Sequence, residues 1–172
     1  HKNIKNVIFV STCSNYGITK DQELVNEEHE LKPLSPYAKA KVKIEKYLLN
    51  KKSQFYSPTV LRFATAFGYS PRMRFDLTIN HFCYSMFKDK EIEVYDPNTW
   101  RPYCHVKDFA RLIDIVISSP KNKVSFEIFN AGGQSNHATK KQIVSEITSF
   151  IDSSNVSYSS LYSYPSRSWA FS

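Results

Sequence analysis

Val7-Ile8-Phe9-Val10-Ser11-Thr12-Cys13-Ser14-Asn15-Tyr16-Gly17 decides the fold of this chain. Four apolar residues in succession stop abruptly at a hydroxyl-rich turn closed by a glycine, the pattern of a buried strand. Twenty-five residues after Thr12 comes Tyr37, and four residues later Lys41, inside Ser35-Pro36-Tyr37-Ala38-Lys39-Ala40-Lys41. Ser35 suits a helix cap and Pro36 the first helical position, so the spacing predicts a helix over 36–49. Its i, i+4 geometry puts Tyr37 and Lys41 on one face. A strand ending in a hydroxyl, followed by a helix that offers a phenol and an ammonium, is an arrangement for moving protons.

Working outward, strand-like runs lie at 59–64, 92–95 and 125–130. Helical patterns lie at 76–87 and, more clearly, at 107–118, where Phe109, Leu112, Ile113, Val116 and Ile117 recur at helical spacing. A last helix opens at Thr139-x-x-Gln142, a capping-box pattern. It carries Ile143, Val144, Ile147, Phe150 and Ile151 on one side through 151. Strands alternating with helices predict an α/β fold with a parallel sheet. Residues 152–172, crowded with serine and tyrosine, read as an irregular tail. There is no internal repeat.

Composition narrows the function. A chain of 172 residues with 41% apolar content can bury a core. No run approaches the roughly 18–20 apolar residues of a membrane span, and His1-Lys2-Asn3-Ile4-Lys5 does not open a signal peptide. Cys13, Cys83 and Cys104 are odd in number and far apart, which suggests neither a disulfide framework nor a metal site, so a cytoplasmic location is the expectation. Asn155-Val156-Ser157 matches a glycosylation acceptor only by pattern. The net charge of +7 is scattered, with local excess over 39–46 and at Lys51-Lys52. It points to an anionic small molecule rather than to nucleic acid.

Tyr-x-x-x-Lys alone says little, since it recurs at Tyr16/Lys20, Tyr37/Lys41, Tyr47/Lys51, Tyr84/Lys88 and Tyr103/Lys107. Only Tyr37/Lys41 lies in the first turns of a capped helix after a hydroxyl-terminated strand. A phenol titrates near pH 10. A neighbouring ammonium favours the phenolate and brings it toward use as a base. Thr12, at the carboxyl end of its strand, stands where open parallel sheets bind ligands.

Three further blocks complete the picture: Thr59-Val60-Leu61-Arg62-Phe63-Ala64-Thr65-Ala66-Phe67-Gly68, then Ser70-Pro71-Arg72-Met73-Arg74-Phe75-Asp76-Leu77, then Trp100-Arg101-Pro102-Tyr103-Cys104-His105-Val106-Lys107-Asp108. With Phe129-Asn130-Ala131-Gly132-Gly133, they resemble, in order and spacing, the extended short-chain dehydrogenase/reductase family of NAD-dependent nucleotide-sugar epimerases and dehydratases. The resemblance runs from about residue 6 to 151. It implies the carboxyl-terminal part of a Rossmann-like parallel sheet plus a small α/β substrate-binding domain. On that reading 1–68 is a remnant of the dinucleotide-binding domain with a strand return near 102–118, and 69–151 is mainly substrate domain.

The resemblance also implies roles. Thr12, Tyr37 and Lys41 fall on the catalytic triad. Tyr37 and Lys41, with Phe63, Ala64, Thr65, Ala66 and Phe67, fall where NAD (or NADP) presents its nicotinamide. Thr12, Asp76, Leu77 and Arg101 fall at the nucleotide sugar, Arg101 suiting a diphosphate through its paired donors. Arg72 and Arg74 are weaker candidates, and His105 is expected to be structural rather than a base. No metal, nucleic acid or membrane is implied, and the family member would be a homodimer.

Two departures qualify the reading. The family's glycine-rich phosphate loop has no counterpart among Gly17, Gly68, Gly132 and Gly133. The chain is therefore expected to be a portion of the family's fold, lacking its amino-terminal segment and inactive alone. Second, family dehydratases carry an Asp-Glu pair where this chain has Cys13-Ser14, so epimerisation through a transient keto sugar is expected over dehydration. A nucleotide-sugar ketoreductase on the same scaffold is the alternative, and a non-catalytic binding or regulatory module is the alternative of another class.

Overall fold

The computed structural model describes residues 6–18, 24–50, 56–151, 155–160 and 170–171. Residues 1–5, Lys20, Lys51, Lys52 and much of the tail lie outside the described residues. In chain order the elements are β1 (Asn6–Thr12), a 3-10 turn (Cys13–Tyr16), β2 (Leu24–Val25), α1 (Pro36–Asn50), β3 (Ser57–Phe63) and β4 (Thr65–Phe67). There follow α2 (Thr78–Tyr84) with a π turn (Ser85–Asp89), β5 (Glu91–Tyr95), β6 (Trp100–His105), α3 (Val106–Ser118), α4 (Lys121–Val124) and β7 (Ile128–Ala131). The last are β8 (His137–Thr139), α5 (Lys140–Thr148), β9 (Asn155–Ser159) and β10 (Ala170–Phe171).

The fold is α/β, as expected. β1, β3 and β7 form a parallel sheet in that order, with β3 central. Covered on both flanks, β3 buries Val60 and Leu61 completely, each such side chain contributing about 1.5–3 kcal/mol of burial. At Ala64, whose N–H still donates to the Ala131 carbonyl at 3.0 Å, the chain leaves this sheet. β4 then pairs in parallel with β6, and β6 pairs antiparallel with β8. That change of partner at residue 64 joins two packed regions. Leu61, Phe109, Val116 and Ala131 belong to a core beside the first sheet. Phe82, Met86, Val94, Ile143, Val144 and Ile147 form a second core.

The helix signals hold well. Ser35 Oγ accepts from the Ala38 N–H at 3.1 Å, capping α1. The Thr139–Gln142 capping box is present at the start of α5. Some boundaries differ from expectation. The helix expected over 76–87 starts at Thr78 and passes at Ser85 into a π turn that ends on left-handed Lys90 (φ 58°). α5 ends at Thr148, which leaves Phe150 81% exposed instead of on the apolar side. The strand expected at 125–130 forms only from Ile128, because Ser125 caps the end of α4 and Phe126 takes left-handed backbone (φ 61°). Within the tail expected to be irregular, Asn155–Ser159 forms β9 in parallel with β5. A free strand edge beside an alternating Val156/Tyr158 stretch is a ready partner for such pairing. Among the described residues no helix is long and apolar enough to cross a membrane.

Candidate active site

Thr12 ends β1 and caps the 3-10 turn: its Oγ1 accepts from the Ser14 N–H at 3.2 Å. A hydroxyl that accepts one bond can still donate another. The turn closes on Gly17 at φ 78°, ψ −129°, where a Cβ would lie 2.0 Å from the Lys32 carbonyl oxygen, so only glycine fits. Cys13, the next residue after Thr12, is buried.

Tyr37 and Lys41 stand on consecutive turns of α1. The Tyr37 ring is 57% exposed, open to a ligand. Lys41 Nζ lies 5.5 Å from the Tyr37 ring centre and 4.8 Å from that of Phe9, and it donates to the Val10 carbonyl at 2.7 Å. The ammonium therefore ties the helix to the end of β1, two residues before Thr12. It holds further N–H donors for a ligand. The sequence-predicted Thr12, Tyr37 and Lys41 thus come from two elements joined directly by Lys41.

Of residues 63–67, expected at the cofactor, several side chains are taken up by packing. Phe63 stacks on Phe109 at 4.0 Å between ring centres, so its side chain belongs to the core. Ala64 is buried, Ala66 packs against the first core, and Phe67 packs edge-on to His105 at 5.3 Å. This leaves chiefly the backbone at the change of sheet for a cofactor. Together with the ammonium of Lys41 and the open Tyr37, such donors fit the nicotinamide-ribose end of a dinucleotide. For the pyrophosphate end, the chain's few glycines supply no phosphate loop.

The loop before α2 brings Arg74 and Asp76 together. They form an exposed two-point pair, Arg74 Nε and Nη2 donating to Asp76 Oδ1 and Oδ2 at 2.7 and 2.6 Å. The hydrogen bond from Arg74 holds the Asp76 carboxyl down at about 2. Arg74, its own pKa raised mainly by Asp76, also feels the Tyr37 phenol. Asp76 thus faces Arg74, and the loop itself approaches the triad helix. Leu77 caps α2 with its backbone, half-buried. Arg72 is exposed. Arg101 is half-buried on β6, opposite Ala138 of β8. Its charge reaches Lys140, whose pKa is lowered first by burial and then by Arg101. His105 is structural: Nδ1 accepts from the Lys107 N–H at 3.2 Å and caps α3. Its ring lies so close to Gly68 (φ 111°) that a Cβ there would meet Nε2 at 2.3 Å.

Where α1, β3 and the turn after Thr12 meet lies a polar cluster that sequence reasoning missed. Glu45 of α1 pairs with Arg62 of β3, with Nη2–Oε2 at 2.8 Å and both side chains at 3% exposure or less. Glu45 also accepts from the Ser11 hydroxyl and from Asn15 Nδ2 at 2.7 Å. Arg62 donates to Tyr16 Oη at 2.9 Å and to the Glu27 carbonyl at 3.0 Å, and Tyr16 donates to Asn130 Oδ1 at 2.6 Å. Burial works against the Arg62 cation, but Glu45 and Tyr16 more than offset it and hold its pKa above the ordinary arginine value. Burial likewise pushes the Tyr16 phenol up, against the pull of Arg62. A signal was available: Glu45 falls on the buried stripe Ala38/Val42, and Arg62 interrupts an apolar strand.

Comparison with known proteins places this geometry. The model of the NAD dependent epimerase/dehydratase family matches residues 1–132. An uncharacterized UDP-glucose epimerase, YtcB, of Bacillus subtilis is 33% identical over 132 residues, covering 76% of this chain and 40% of that protein. Protein CapI of Staphylococcus aureus is 32% identical over 123 residues, 70% of this chain and 36% of that protein. Among solved structures, the UDP-glucuronic acid 4-epimerase from Bacillus cereus, in complex with UDP-glucuronic acid and NAD, matches with a TM-score of 0.83 and 26% identity. That match covers 100% of this chain and 54% of the epimerase. The chain spans less than half the length of these two curated relatives.

Proposed function

The chain belongs to the NAD-dependent epimerase/dehydratase family, and from that premise we propose that it carries the proton-handling portion of a nucleotide-sugar epimerase working through a transient keto sugar. The observation that carries this reading is Lys41, whose ammonium lies beside the Tyr37 ring and bonds the backbone at the end of the Thr12 strand. NAD, when bound, supplies the hydride acceptor and donor. Thr12 holds the sugar hydroxyl through its Oγ1, and Tyr37 removes that hydroxyl's proton. Lys41 stands beside Tyr37 as a cation and keeps further N–H donors for the ligand. Once the keto sugar has turned over, Tyr37 returns the proton to its carbonyl oxygen. Arg101 holds the diphosphate through its paired donors, and the backbone near Ala64 and Thr65 borders the nicotinamide.

Dehydration fits poorly, because the Asp-Glu pair that the resemblance to family dehydratases implies directly after Thr12 has no counterpart here. Cys13 and Ser14 offer no carboxyl group. A nucleotide-sugar ketoreductase would use the same triad but consume reduced cofactor stoichiometrically.

The test is turnover of UDP-sugar epimers by the polypeptide translated from the complete reading frame. Interconversion with catalytic NAD supports epimerisation; consumption of one reduced cofactor per sugar identifies the reductase instead. Tyr37→Phe is expected to cut turnover by about a hundredfold or more, the scale of general acid–base catalysis, with NAD binding kept. Near-normal turnover by that variant would remove Tyr37 from the proposed role.

A further inference from the structure

The Glu45–Arg62 pair differs from the other ion pairs among the described residues. Its side chains are 2% and 3% exposed, whereas those of Glu30–Lys32, Arg74–Asp76 and Asp108–Arg111 are exposed by 48% or more. A buried ion pair is a poor source of stability, since desolvating two ions consumes most of what their attraction returns. A well-packed apolar pair would hold the fold as firmly. The ends of the pair suggest another use.

Glu45 lies one turn past Lys41 and two past Tyr37 on α1. Arg62 lies on β3 in register with Ser11, the residue before Thr12. The guanidinium meets the carboxylate at two points: Nη2 to Oε2 at 2.8 Å and Nε shared between both oxygens at 3.3 Å. Tyr16 and Asn15, in the turn that Thr12 caps, close the cluster from the other side. Both elements that bear triad residues therefore have a member in one dry network. Sliding α1 along the sheet would break several of its bonds at once.

We propose that Glu45 and Arg62 are positioning residues whose two-point pair, closed by Tyr16 and Asn15, sets the distance and angle at which α1 presents Tyr37 and Lys41 to Thr12. This rests on Tyr37 and Lys41 acting as described above. Because the reacting groups sit on different elements, a helix displaced by about 1 Å would lower turnover by about a hundredfold, while substrate binding at Arg101 would be untouched.

Arg62→Lys in the polypeptide from the complete reading frame is the test. It keeps the charge but not the planar fork. Two readouts are needed: kcat and KM well below the melting temperature, and a crystal structure of the variant. The expected result is kcat down by about tenfold to a hundredfold with KM nearly unchanged, and α1 displaced so that Tyr37 Oη moves relative to Thr12 Oγ1. A folded variant with normal kcat overturns the proposal, and so does a fall in kcat with α1 unmoved. If Arg62→Lys does not fold, Glu45→Gln/Arg62→Gln, which strands neither charge, is held to the same two readouts. If the unsubstituted protein turns over no nucleotide sugar, the proposed function fails. The displacement of α1 in the crystal then decides the positioning claim by itself.

Discussion

Replacing Glu45 with alanine removes the acceptor on which four buried groups converge, and the cost can be built from its contacts. Arg62, 3% exposed, would be left a cation without its partner. Breaking a buried pair from one side costs about 3–5 kcal/mol. Ser11 and Asn15 lose the carboxylate but keep their mutual bond at 3.1 Å, so their share is about 1 kcal/mol. The sum, about 4–6 kcal/mol, rivals the whole stability of a domain, about 5–15 kcal/mol. Glu45→Gln keeps the volume and, at the Oε1 position, an acceptor for Ser11 and Asn15, but it loses the charge and sets an amide N–H against Arg62 Nη2 where Oε2 accepted, a cost of about 3–4 kcal/mol. Urea unfolding followed by far-ultraviolet circular dichroism, with the m-value checked for constancy, would measure both. Glu45→Gln should keep a cooperative transition at lower midpoint, while Glu45→Ala should lower the midpoint further. A loss below about 1 kcal/mol for the alanine variant would mean that water reaches Arg62. The picture of a dry, forced cluster would then be wrong.

Gly17→Ala should lower stability by about 1–3 kcal/mol from backbone strain alone, with the Lys32 carbonyl contact adding to it; a thermal melt unchanged from the parent would contradict the geometry of this turn. Alkaline pH should destabilise the fold through Cys104 and Tyr103, whose burial raises them from 9.0 to about 11 and from 10.0 to about 12. Both folded values lie above the unfolded ones, so this stability is complete below pH 9 and is lost as the pH climbs through 11 and then 12. A urea midpoint flat from pH 8 to 12 would refute it. Arg101→Ala in the active enzyme should weaken substrate binding by about 2–5 kcal/mol with Arg101→Lys recovering part; an unchanged KM in both would assign Arg101 a structural task.

Much of the fold was legible because its signals are short in range. A cap at Ser35, a capping box at Thr139 and the apolar stripe of α3 are each decided within a turn or two of chain, and each appears where the pattern put it, save that Ile117 of the expected stripe is exposed. The strand ending in Thr12 and the face carrying Tyr37 and Lys41 were readable for the same reason. Boundaries were less so. Phe126 and Lys90 take left-handed backbone that their side chains do not advertise, and β9 exists because β5 offers it an edge 64 residues away.

What only the tertiary structure decided is how the site is held. Pattern reading treats Glu45 as one more helix carboxylate and Phe63 as a residue near a ligand. Packing instead places Glu45 against an arginine 17 residues on, and it turns the Phe63 ring onto Phe109. The Lys41 ammonium finds the carbonyl of Val10, 31 residues back in the chain. A lone buried charge is too costly to persist, so Glu45 and Arg62 make sense only together. The sequence determined that Glu45 rides on the Tyr37/Lys41 helix and that Arg62 interrupts an apolar strand; that both are buried, and that they meet, depended on how β1, β3 and α1 pack, which is set by contacts far apart in the chain.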